Sequence, residues 1–102
     1  MLYYAAITTP SGEREQGIYS PAELVTATWN PDTHINYITK LTARTKEEAR
    51  ELAIDIYDAD RDTVDNGGDC LSYAEWGIIG DVLERLARRF GLITEFKENG
   101  II

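Results

Sequence analysis

Strand-forming apolar runs lie before about residue 43, and beyond it apolar residues recur with a period near 3.6, so strands are expected early and long helices late. Leu2-Tyr3-Tyr4-Ala5-Ala6-Ile7-Thr8-Thr9 is rich in strand-formers and runs into the turn chemistry of Pro10-Ser11-Gly12. Glu15-Gln16-Gly17-Ile18-Tyr19 reads as its hairpin partner, with Gly17 as the weak point. Ser20-Pro21-Ala22-Glu23 then places an N-cap, a first-turn proline and a capping-box glutamate in order, with Tyr19 and Leu24 at staple positions. A short helix to about Thr28 follows, broken by Asn30-Pro31-Asp32. Residues 35 to 43 alternate Ile35, Tyr37, Thr39, Leu41, Ala43 against Asn36, Ile38, Lys40, Thr42, predicting a strand buried on one face and partly covered on the other.

In the second half, Thr45-Lys46-Glu47-Glu48 is a capping box, and Ala49, Leu52, Ala53 and Ile56 recur at helical spacing through about Asp60. Ser72-Tyr73-Ala74-Glu75 is another capping box, flanked by Leu71 and Trp76 at staple positions. Trp76, Ile79, Leu83, Leu86, Ala87 and Phe90 share one face of the helix it starts, and Gly91 offers a left-handed C-cap. The tail from Leu92 to Glu98 fits either a last helical turn or two, capped by Asn99-Gly100, or a short strand of Leu92, Thr94 and Phe96, with helix favoured. The expected fold class is α+β, one domain over residues 1–102. A small antiparallel or mixed sheet of two to three strands (2–9, 15–19, 35–43) is covered by two longer helices (46–60, 73–90) and one short helix.

A chain of 102 residues with 43% hydrophobic content supports one core and not two. No window approaches a membrane span, and Met1 leads straight into a strand-like run, so a soluble cytoplasmic protein without membrane contact is expected. The lone Cys70 leaves no partner for an internal disulfide, and one His with one Cys excludes a zinc site built from those residues within the chain. Neither His34 nor Cys70 has the companions a nucleophile or general base needs, and Gly67-Gly68 lacks the lysine of a phosphate loop, so no enzyme is expected.

Charge changes the picture more than composition does. The net charge of −8 is concentrated: residues 47 to 84 carry twelve Asp/Glu against Arg50 and Arg61, while the segments before and after sum to 0 and +2. Such a field repels nucleic acid and anionic membrane and attracts basic protein surfaces or cations. At 100° per residue, Glu47, Glu51, Asp55, Asp58 and Asp62 fall within an arc of roughly 80° on the side of the helix opposite its apolar face. Solvated faces are commonly charged, but like charges at i, i+4 oppose helix formation, and this face has little Lys or Arg relief. The next helix contrasts with it, because Asp81/Arg85 and Glu84/Arg88 place acid before base in the favourable order.

In general character this short acidic chain without a catalytic set is similar to the small inhibitors that phages and mobile elements encode against host nucleases and CRISPR complexes. The expectation is a non-catalytic acidic protein-binding domain, an inhibitor of the anti-CRISPR or anti-restriction type and a nucleic-acid mimic. It would engage the basic surface of a nuclease, a CRISPR effector or another nucleic-acid-binding complex, with no cofactor and no direct nucleic-acid contact. The residues expected to carry it are Glu47, Glu51, Ile54, Asp55, Asp58, Asp62, Asp65 and Asp69. The alternative is a cation-binding or purely structural interaction module. The run from Asp58 to Asp69 resembles an EF-hand loop, and that resemblance implies Asp58, Asp60, Asp62, Asn66 and Asp69 as ligands. It departs from the pattern in having Thr63 in place of the sixth-position glycine, Asp69 in place of the bidentate glutamate and Arg61 inside the loop.

Overall fold

In the computed structural model, which describes residues 1–102, the Pro10-Ser11-Gly12 turn closes the expected hairpin. Gly12 takes a φ of +89°, and the Thr9 N–H donates to the Glu13 carbonyl at 2.8 Å. Strands β1 (Tyr3–Thr8) and β2 (Arg14–Tyr19) pair antiparallel from Tyr3 opposite Tyr19 to Thr8 opposite Arg14. Helix α1 (Pro21–Ala27) starts with the predicted Ser20/Glu23 capping box, and the chain returns as β3 (His34–Lys40). β3 pairs antiparallel with the other side of β1, giving the order β2-β1-β3. The connection that carries α1 therefore passes from one edge of the sheet to the other. Ala5 and Ile7, which point away from the main core, are nonetheless only 0% and 3% exposed.

Strict alternation across 35–43 does not hold. The register shifts between Ala6, opposite Tyr37, and Ile7, opposite Ile35, so Asn36 is an extra residue in β3. Such a bulge turns two successive side chains to one side. Asn36 and Tyr37 both face the helical layer, while Ile35 falls on the outer face at 43% exposed. The strand also ends at Lys40, and Leu41 and Ala43 enter the core from the segment after it.

The helical layer consists of α2 (Lys46–Asp65), α3 (Tyr73–Phe90) and α4 (Ile93–Glu98). Local chemistry sets most of its boundaries. Ser72 and Glu75 form the complete capping box expected, and Gly91 takes the left-handed C-cap at φ 70°. At Thr45 only half the box forms: its hydroxyl accepts from the Glu48 N–H, but the Glu48 carboxylate reaches the Arg44 N–H instead. The tail is helical, and its end is a Schellman arrangement in which Ile101 N–H donates to the Phe96 carbonyl at 2.8 Å and Gly100 N–H to that of Lys97. The core lies between sheet and helices, with Tyr4 and Ala6 of β1 packed against Ala49, Leu52, Ala53 and Ile56 of α2, Ile79, Leu83 and Leu86 of α3, and Phe96 of α4. No helix is long and apolar enough to cross a membrane.

α2 outlasts its expected end near Asp60 by five residues, because distant residues support its last turns. Gln16 Nε2 donates to Asp60 Oδ1 at 2.8 Å, and Arg14 pairs with Asp62 at 2.8 Å. Gly67, at φ +89°, then reverses the chain, with Gly68 N–H donating to the Thr63 carbonyl at 2.9 Å. The Tyr4 hydroxyl completes this network by donating to Gln16 Oε1 at 2.6 Å, and no buried side-chain polar atom is left without a partner.

Four tyrosines have phenols held above their ordinary pKa, in each case chiefly by burial. Neighbouring carboxylates reinforce the shift: Asp60 at Tyr4 and Tyr57, Glu15, Glu75 and Glu23 at Tyr19, and Asp55 and Glu51 at Tyr37, where a Thr39 hydrogen bond opposes it. Above about pH 10 the unfolded chain releases these protons while the folded chain retains them. The stability they contribute is therefore complete below that pH and lost as pH rises through the folded values. Urea midpoints are expected to be level from pH 7 to 9 and to fall from about pH 10 upward. A flat profile to pH 11.5 would show that the phenols titrate alike in both states.

Candidate protein-binding surface

The two edges of the sheet differ. Along β2, the segment between α2 and α3 lies against the strand. Gly68 abuts the Arg14 main chain, Gln16 Nε2 donates to the Asp69 carbonyl at 3.0 Å, and the Ile18 N–H donates outward to Glu75 Oε2 at 3.2 Å. Glu75 thus caps α3 with one carboxylate oxygen and occupies the sheet edge with the other. Nothing comparable lies along β3. Its residues are exposed or half-exposed throughout, and the strand packs chiefly against β1 on one side and α2 above.

That open edge is walled by carboxylates. A groove between β3 and α2 is lined by Asn36, Tyr37, Thr39 and Thr42 from the strand side and by Glu48, Glu51, Asp55, Asp58 and Asp62 from the helix. Arg14 neutralises Asp62, and Glu48 is engaged by the Arg44 N–H. Glu51, Asp55 and Asp58 have no salt bridge and no hydrogen bond within the chain. Like charges left this close oppose the helix that carries them, so the arrangement is not one that stability alone favours. The field reaches the strand, since Asp55 and Glu51 both push the Tyr37 phenol upward.

The residues named from the sequence do not form one patch. Glu51, Asp55, Asp58 and Asp62 line the β3 groove. Glu47 is tied to Arg50 at 2.6 Å, and Arg50 also grips Glu95 of α4 through Nε and Nη2 at 2.8 and 2.9 Å. That contact holds the Glu95 carboxyl below its usual range. Ile54, 54% exposed, lies on the other slope of α2 in a second groove with Arg50, Tyr57, Arg61 and Ile101. Asp65 is exposed at the end of α2, and Asp69 lies by the β2 edge, across the sheet from β3. Glu48 and the strand lie outside the expected set, because helical geometry alone defines the stripe and no local signal in residues 34 to 40 announces which neighbour the strand lacks.

The residues of the cation-loop alternative are not gathered. Asp58, Asp60 and Asp62 stand within α2, Asp60 and Asp62 are taken by Gln16 and Arg14, and only 66–72 is non-helical between α2 and α3. An EF-hand needs a twelve-residue loop curled about the ion, whereas helical residues two apart diverge by about 200°. No group of three or more His, Cys, Asp or Glu side chains is placed to hold a metal. Cys70 and His34 are both exposed, on opposite edges of the sheet. The chain matches no protein-family model, no curated protein and no solved structure.

Proposed function

We propose that this protein is a non-catalytic binding domain that engages a basic surface of a nucleic-acid-binding partner and thereby inhibits it. The observation that carries this reading is the run Glu51, Asp55 and Asp58 on α2, none of them in a salt bridge, beside an exposed strand. Dense basic surfaces are characteristic of proteins that hold phosphate backbones, and a domain bound there excludes the nucleic acid. The wall is shorter than a duplex. Glu48 to Asp58 spans about 15 Å of helix axis with four carboxylates, whereas duplex DNA places a charge every ~1.7 Å. A compact basic patch fits it better than a groove built for many base pairs.

The test is capture from a bacterial lysate at low salt, comparing the wild-type protein with a Glu51→Lys/Asp55→Lys/Asp58→Lys variant whose fold is checked by circular dichroism. Wild type is expected to retain a DNA- or RNA-binding protein that the variant loses, and to release it at about 0.5 M salt, where charge is screened within a few ångströms. Equal retention by the two proteins would overturn the proposal.

A further inference from the structure

We infer that the open edge of β3 is a strand-addition site, and that the occupant is an extended segment of the partner in which basic residues alternate with apolar ones. The inference rests on the function proposed above and specifies how the partner is held. The phase of the ladder shows which groups are available. Because the Ile18 N–H points away from β1, Tyr4 and Ile18 are not a hydrogen-bonded pair, and Tyr4 directs its main-chain groups to Thr39. Leu41 N–H donating to the Leu2 carbonyl at 2.9 Å keeps the same phase. Alternation then turns the N–H and C=O of Ile38 and Lys40 outward; the Lys40 carbonyl accepts the Thr39 hydroxyl at 3.1 Å and keeps a second lone pair, and the other three groups have no hydrogen bond.

A strand added antiparallel there exchanges both main-chain bonds with Ile38 and Lys40, and its side chains alternate between the sheet's two faces. The residue opposite Ile38 shares the outer face with Ile35 and Ile38, which are 43% and 39% exposed, and an apolar side chain covers them. Its two neighbours share the helical face with Tyr37 and Thr39, under Glu51 and Asp55, and there lysine or arginine finds carboxylates without partners. A slip of one residue would put the basic side chains over isoleucine. A second copy of this chain is a poor occupant, because pairing β3 with β3 brings two chains of net charge −8 together with their acidic walls on the same seam.

The probe is a blocked peptide of three arginines alternating with three valines, titrated into the full chain at low salt and followed by amide NMR and hydrogen exchange. Binding is expected to slow exchange of the Ile38 and Lys40 amides at least about tenfold at saturation. N-methylation of the valines, whose N–H groups face β3 in this register, is expected to weaken affinity at least about tenfold, while N-methylation of the arginines changes it less than about threefold. No binding at millimolar peptide, equal losses for the two methylated series, or a protein dimer that already protects Ile38 would each overturn the inference. Charge-only binding would then appear as equal affinity of both series with the lysate capture still dependent on Glu51, Asp55 and Asp58. Capture indifferent to those three residues would instead remove the function on which the inference rests.

Discussion

Replacing Phe96 with alanine is expected to destabilise the protein by about 3–5 kcal/mol, out of a total of about 5–15 kcal/mol for a chain of this length. Phe96 is 1% exposed and is one of the largest fully buried side chains. It belongs to a helix of six residues, too short to form by its own propensity. α4 is held by that ring, by the Arg50–Glu95 contact to α2 and by the Schellman bond from Ile101 to the Phe96 carbonyl. Removing the ring takes away the apolar anchor and leaves a cavity where α2, α3 and α4 meet. The urea midpoint should drop with an unchanged slope, and amides of residues 93 to 101 should exchange faster than the change in global stability requires. A loss below about 1 kcal/mol would show that the last helix lies on the core without completing it.

Gly68→Ala is expected to cost about 1–3 kcal/mol, far more than adding a methyl group to an exposed turn. A Cβ at this position would stand 2.6 Å from Thr63 Cγ2, 2.7 Å from the Arg14 carbonyl oxygen and 2.9 Å from Arg14 Cβ. Two of those neighbours cannot swing aside: Thr63 is buried with its hydroxyl bonded to the Ala59 carbonyl, and Arg14 is in the ladder of β2. The cost should therefore come with a loosened junction between α2 and β2, seen as faster exchange at Arg14 and Gly68. Gly77→Ala is the matched control. It sits in α3 with nothing within 4 Å of its Cβ, so alanine there is expected to stabilise by about 0.5–1 kcal/mol. If both substitutions shifted the midpoint in the same direction, close approach would not be the reason for the glycine at 68.

The parts of the fold legible from sequence were those that short-range chemistry decides. Ser20/Glu23, Ser72/Glu75 and Gly91 announce helix ends through contacts spanning a few residues, and the structure makes each of them. α2 ran past its expected end because Asp60 and Asp62 are supported by Gln16 and Arg14, more than forty residues earlier. The bulge at Asn36 was illegible for a related reason: a register shift is a property of two strands, and residues 34 to 40 alone cannot reveal it. The acidic stripe on α2 could be computed from helical geometry. Its division between two grooves, and the diversion of Asp62 and Glu47 into internal ion pairs, depend on where the strands and α4 pack.

The carboxylate of Glu75 at the edge of β2 also limits assembly. A sheet with two open sides can serve as both donor and template, so each molecule added exposes a place for the next, and growth into a filament has no natural stop. Here the side beyond β2 is occupied, from Gly68 alongside Arg14 to Glu75 at Ile18. The molecule is monovalent in strand pairing: any addition at β3 ends with one guest.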